Sequence, residues 1–198
     1  MPQNAAMAAP ERHGGSSGSA LTRETILKAL ETVAEELRQR NTTGELCLFG
    51  GSVMVLAFNA RPSTKDVDAI FEPAQLIRQV AGEVADRQSL PRGWLNDAVK
   101  GFVAGQPEVT VGNLPQFPNL RLTMPVPEYL LAMKCMAARI GGTTGEPSDV
   151  SDIVFLIRQL GITTAGAVLD LVASYYPESR ISVKTQYLIE GLFEEGRI

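Results

Sequence analysis

Two adjacent glycines, Gly50 and Gly51, separate the apolar run ELCLF (45–49) from a second apolar run, VMVLAF (53–58). Glycine carries a backbone through positive φ without steric cost, so the pair stops an extended segment and lets the chain turn sharply. The run behind the turn is apolar enough for a buried helix, and the unit reads as strand, glycine turn, helix. A second unit follows. DVDAIF (66–71) alternates polar and apolar side chains before Pro73, after which Leu76, Ile77, Val80 and Val84 recur at helical intervals.

On either side the pattern is more helical. Residues 1–20 are rich in Ala, Gly, Ser and Pro without periodicity and read as a flexible tail, because they bury too little surface to offset their ordering entropy. Thr22 is an expected N-cap; Ile26, Leu30, Val33 and Leu37 then repeat at helical spacing, widened by Leu27 and Ala34, until the run ends near 41–44. A short helix is expected over 94–102. Pro107, Pro115, Pro118, Pro125 and Pro127 leave room only for short strands, at 108–111 and 120–123. Helices are expected at 128–139, 149–160, 164–175 and 182–195, with a loop at Gly141–Gly145. The expected architecture is α+β: a small mixed β-sheet flanked by helices over 21–125, followed by a C-terminal helical bundle over 126–198.

The 198 residues suit one compact unit with a sizeable core. With 44% hydrophobic residues and a net charge of −4, the chain is neither disordered throughout nor broadly basic, so any nucleic-acid contact needs a local patch. No apolar run reaches the roughly 20 residues that span a bilayer, and the start lacks the order of a signal peptide, so a cytoplasmic protein without membrane contact is expected. Cys47 and Cys135 sit in apolar runs as free thiols, and His13, the one histidine, lies in the tail. Carboxylates and lysines are left to do any chemistry.

Asp66 and Asp68 supply the first of these. The two-residue period of a strand puts both on one face, roughly 6.5–7 Å apart at Cα. Two like charges held together repel unless a cation lies between them, and hard oxygen donors suit magnesium, which takes few carboxylates plus substrate phosphates. Phosphoryl and nucleotidyl transfer use such a clamp. The Gly50 and Gly51 amides open a helix, where unpaired N–H groups attract phosphate, and Ser52 adds a hydroxyl donor.

Gly50-Gly51-Ser52, thirteen residues and then Asp66-Val67-Asp68 resembles the signature of the polymerase β-like nucleotidyltransferase superfamily. The longer stretch GGSVMVLAFNARPSTKDVDAIF resembles the AbiEii-like nucleotidyltransferases and the related DUF6036-like group. Arg61, Thr64, Asp66 and Asp68 stand for that group's Arg-x-Thr/Ser-x-Asp-x-Asp stretch, with one extra residue after Arg61. EYLLAMKCMAAR followed by DVSDIVFLI is similar to its second signature, a lysine-bearing helix and then an Asp-x-x-Asp helix start. The resemblance spans roughly 22–195. It implies Asp66 and Asp68 as ligands of Mg2+, with Gly50, Gly51, Ser52 and Lys134 holding the triphosphate of an NTP. Thr64 matches a position near the metal site, and Asp149 the late essential acid, so Asp66, Lys134 and Asp149 are the expected catalytic residues. The implied activity is transfer of a nucleoside monophosphate to a hydroxyl acceptor, possible acceptors including tRNA, with an antitoxin as partner in toxin-type relatives. A catalytically silent fold that binds a nucleotide or a protein stands as the alternative.

One departure bears on activity. Many superfamily members carry a third carboxylate on a later strand, and the strand expected to bear it, 120–123, has none; Asp149, Asp152 or Glu108 takes that role, or catalysis is impaired. Simpler readings also stand. Lys134 is at home on a solvated helix surface, Asp149 and Asp152 as cap and first-turn acid.

Overall fold

Thr22 caps the first helix: its Oγ1 accepts the Thr25 N–H at 3.2 Å, and α1 runs Arg23–Gln39. Ile26, Leu30, Val33 and Leu37 of its apolar stripe have no exposed surface. The structure, a computed structural model, describes residues 20–101, 103, 105, 107–138 and 149–198. The expected tail, Ala20 apart, and the loop expected at Gly141–Gly145 lie outside the described residues.

The first strand–turn–helix unit is β2 (Gly44–Leu48) and α2 (Gly50–Leu56), preceded by β1 (Leu21–Thr22). α2 is short, and Arg23 compensates by donating to the carbonyls of Val55 and Leu56 at its C-terminal end, at 2.9 and 2.6 Å. The chain returns through β3 (Ser63–Thr64), which pairs with β1 in a two-stranded ribbon, into β4 (Val67–Glu72) and α3 (Ala74–Gln88). After α3 come β5 (Leu95–Asn96), β6 (Val109–Thr110) and β7 (Leu120–Pro125).

The five-stranded sheet has the order β5-β4-β2-β7-β6. β2 is antiparallel to β4 and parallel to β7; β5 runs parallel to β4, and β6 antiparallel to β7. Alternation along the strands makes two unlike faces. Leu46, Leu48, Val67, Ala69, Phe71 and Leu122 are buried in the main core with α1 and α3. Cys47, Asp68, Ile70 and Thr123 turn the other way and are half-buried.

The segment expected to be helical over 94–102 is not one helix. Val67 N–H donates to the Trp94 carbonyl at 2.6 Å and draws Leu95 and Asn96 into parallel pairing with Val67 and Asp68; only Ala98–Gly101 closes, as a 3-10 turn. Trp94 anchors the strand, fully buried with its Nε1–H donating to the Ala81 carbonyl at 3.0 Å. A second consequence concerns the strand expected to bear a third acid. β7 lies across β2 from the aspartates, and the strand flanking β4 on its free side is β5.

The C-terminal part holds α4 (Pro127–Ala137), α5 (Asp149–Gln159), α6 (Ala165–Tyr175) and α7 (Val183–Glu194). Thr164 and Ser182 cap α6 and α7, accepting from Ala167 N–H at 3.2 Å and Thr185 N–H at 3.1 Å. Leu131, Ile153, Val168 and Ile189 of these helices belong to the same apolar cluster as Leu48 and Leu122, so the helical part shares its core with the sheet part. A smaller cluster of Phe49, Val99 and Tyr129, with Ile70 and Met133 against it, covers the half-buried sheet face.

Candidate active site

Gly50 opens α2 with φ +59, a conformation that L side chains rarely adopt, and the Phe49 N–H before it donates to the Asp68 carbonyl at 2.9 Å. The turn is thereby stitched to the acidic strand. A Cβ on Gly50 would stand 3.3 Å from Asp68 Oδ2. One on Gly51 would meet Thr64 Oγ1 at 2.4 Å and Thr64 Cβ at 3.1 Å. Because Thr64 sits on a paired strand and has little room to retreat, Gly51→Ala is expected to cost about 1–3 kcal/mol, read as a lower urea midpoint with unchanged slope. Ser52 is fully buried, its Oγ donating to the Phe49 carbonyl at 2.7 Å, so the hydroxyl closes the turn on itself.

Asp66 precedes β4 and Asp68 lies on it, and both turn toward Asn96 of β5. The Asn96 amide donates to Asp66 Oδ2 at 3.2 Å, and Asp68 is its register partner across the parallel pair. Burial pushes the Asp66 carboxyl above its ordinary range, against Asn96 and the charge of Lys65, which pull it down. Asp68 is raised first by burial and second by the negative charge of Asp66, and lowered by Asn96 and by Lys134. Asp68 thus feels the negative charge of Asp66.

Lys134 comes in from α4. Its Nζ donates to Asp149 Oδ1 at 2.9 Å and lies 2.8 Å from Asp152 Oδ2, in an ion-pair contact without hydrogen-bond alignment. The other Asp152 oxygen accepts the Arg61 Nε–H at 2.6 Å. Asp152 is 1% exposed between two cations that are 11% and 12% exposed, whereas Asp149 is 33% exposed. Arg61 in turn lies behind the glycine turn, with an Nη 3.4 Å from where a Gly51 Cβ would be. One chain of contacts therefore runs from the turn through Arg61 and Asp152 to Lys134.

Between the turn and α4 lies a pocket of about 240 Å³, lined by Phe49, Gly50, Asp68, Val99, Met133, Lys134 and Asp149 among others. Of the residues singled out in the sequence, Gly50, Asp68, Lys134 and Asp149 meet on this pocket, and Asp66 joins them through Asn96. Ser52 and Thr64 do not line it; they shape the turn from behind. Glu108 lies elsewhere, its carbonyl accepting from Val126 N–H and its charge reaching Tyr175. Asn96 was not foreseen, although an Asn-Asp pair at the end of an apolar dipeptide marks a turn. The 91-residue separation of Arg61 and Asp152 left no signal in spacing at all.

The donor set suits a hard divalent cation. Asp66 and Asp68 lie together beside Asn96, and among the described residues no group of three or more His, Cys, Asp or Glu side chains could hold a metal ion. Magnesium takes one or two carboxylates and fills its remaining positions with water and substrate phosphates, so the pair fits it and does not fit a structural zinc.

A small mixed sheet flanked by helices, with a glycine turn stitched to its acidic strand, defines an α+β domain. Residues 25–154, more than half of the chain, match the family described as "Nucleotidyltransferase of unknown function (DUF6036)", and the chain belongs to that family. No curated protein and no solved structure matches it. Among the described residues no helix is long and apolar enough to cross a membrane.

Proposed function

We propose that this nucleotidyltransferase-family protein is a magnesium-dependent enzyme that moves a nucleoside monophosphate from a nucleoside triphosphate to a hydroxyl acceptor. One observation carries the reading: Asp68, Gly50 and Lys134 line the same pocket, with Asp66 held by Asn96, the register partner of Asp68. Acids for a cation, backbone amides and a lysine for phosphates, and the apolar walls Phe49, Val99 and Met133 for a base are the three kinds of contact a nucleoside triphosphate requires.

Asp66 and Asp68 would hold the ion, which when bound supplies Lewis-acid polarisation of the phosphoryl oxygens. The Gly50 and Gly51 amides and Lys134 would orient the phosphates, with Ser52 and Thr64 acting through the shape of the turn. The acceptor oxygen attacks the α-phosphorus in line, the bond to the bridging oxygen breaks, and pyrophosphate leaves. For the acceptor's proton, Asp149 lines the pocket whereas Glu108 lies elsewhere and Asp152 is buried between Arg61 and Lys134, so we assign the role to Asp149. A tRNA as acceptor and an antitoxin as partner rest on resemblance to toxin-type nucleotidyltransferases alone.

A second reading has one observation in its favour: the residue beside the acid pair on β5 is the neutral Asn96 rather than a third carboxylate. On that reading the pocket binds a nucleotide without turning it over. Incubating the purified protein with magnesium, each labelled triphosphate and total tRNA separates the two. Label transfer that disappears in Asp66→Asn supports the enzyme; triphosphate binding without transfer supports the silent fold.

A further inference from the structure

We propose that Asn96 is a positioning residue that holds Asp66 in one orientation beside Asp68, ready for a divalent cation. The proposal rests on the reading above that these two acids share a cation. Its own support is geometric. Asn96 Oδ1 accepts the Ala98 N–H at 3.0 Å, which settles which end of the amide is oxygen. Nδ2 is then forced toward the acids, 3.2 Å from Asp66 Oδ2. That nitrogen carries two hydrogens, and the second faces the side of Asp68, the register neighbour of Asn96 across the parallel pair. One amide thus holds Asp66 from the strand paired beside Asp68.

Without a cation, two like charges on one face swing apart, and each would have to be re-oriented when the ion arrives. A donor that occupies one position on Asp66 keeps its other oxygen aimed toward Asp68. A lysine or arginine there would do the same only by cancelling the charge the ion needs, whereas an amide is neutral. The outer hydrogen bonds of metal ligands have this effect, and losing one typically lowers metal affinity about 10- to 100-fold. Asn96 also ties the acids to the pocket, because Ala98 and Val99, whose 3-10 turn it caps, form part of the pocket wall.

The test uses the full chain and Mn2+, whose free ion is counted directly by electron paramagnetic resonance. Asn96→Ser keeps an acceptor for Ala98 N–H but cannot reach the acids. It is expected to stay folded by circular dichroism and to bind Mn2+ about tenfold or more weakly than the unaltered protein. Asn96→Asp keeps the acceptor and exchanges the donor for a third negative charge, so it is expected to melt lower than the unaltered protein in EDTA and to recover more on adding Mn2+. Unaltered Mn2+ affinity in Asn96→Ser, or an unchanged melting temperature of Asn96→Asp in EDTA, overturns the role of Asn96 alone. Absence of Mn2+ binding by the unaltered protein overturns the metal site and this role with it.

Discussion

Asp68→Asn is expected to abolish nucleotidyl transfer while making the cation-free protein more stable. The two effects have one cause. Asp68 is half-buried beside Asp66, and burial and that neighbouring charge both raise its carboxyl above the ordinary carboxylate range. A carboxyl whose pKa is raised by folding binds its proton more tightly in the folded state. Its contribution to stability is therefore present at low pH and lost as pH rises through the folded pKa. At neutral pH, in EDTA, the ionised pair opposes folding, and the neutral amide of Asn removes that opposition. The melting temperature of Asp68→Asn minus that of the unaltered protein in EDTA is expected to be positive at pH 7 and to shrink toward zero as pH falls into the acid range. The difference matters because other acids respond oppositely: Arg38 above all holds Glu35 down at about 2, and Gln79 and Arg40 depress Glu83. Turnover moves the other way. Loss of a cation that stabilises transition-state charge by several kcal/mol slows transfer about a thousandfold or more, at roughly tenfold per 1.4 kcal/mol. If the variant retains magnesium-dependent transfer, or melts below the unaltered protein in EDTA, Asp68 is not half of a cation site.

The second large effect is on stability. Asp152→Ala leaves Arg61 and Lys134, 11% and 12% exposed, facing a cavity where their shared carboxylate was. Removing one partner of a buried pair typically costs about 3–5 kcal/mol because the group left behind is desolvated; Lys134 keeps Asp149 at 2.9 Å, so a cost at the lower end, about 3 kcal/mol, is expected. Against a total domain stability of about 5–15 kcal/mol that is a large share, visible as a fall in urea midpoint. The triple variant Arg61→Met, Lys134→Met, Asp152→Leu is expected to regain most of the loss, since apolar groups of similar volume often replace a buried ion network without penalty. It is also expected to lose triphosphate affinity, because the lysine proposed to meet the phosphates is gone. A stable triple variant with undiminished triphosphate binding would show that Lys134 serves structure only.

These two predictions mark where sequence reading reached and where it stopped. The α+β layout and its long elements were legible, because their signals are local. The α1 stripe has the 3.6-residue period of a buried face, Gly50 sits where the backbone needs positive φ, and the alternation of DVDAIF follows from β4 having one core face. What failed to show was set by distant partners. Trp94, Leu95 and Val99 have spacing compatible with a helix, and only the edge offered by Val67 and Asp68 makes Leu95–Asn96 a strand. Ser52 has the same hydroxyl whether it faces a ligand or the Phe49 carbonyl, and only the packing of α2 decides between them. Arg61 was visible as part of a signature but not as the partner of Asp152, a pairing made when α5 docks beside α4.

The central claim is best tested by a crystal structure of the protein soaked with magnesium and a non-hydrolysable nucleoside triphosphate. The account predicts one ion coordinated by Asp66, Asp68 and phosphate oxygens, with the phosphates against the Gly50–Gly51 amides and Lys134 released from Asp149 toward them. A nucleotide seated away from the glycine turn, or an ion that touches neither aspartate, would contradict it.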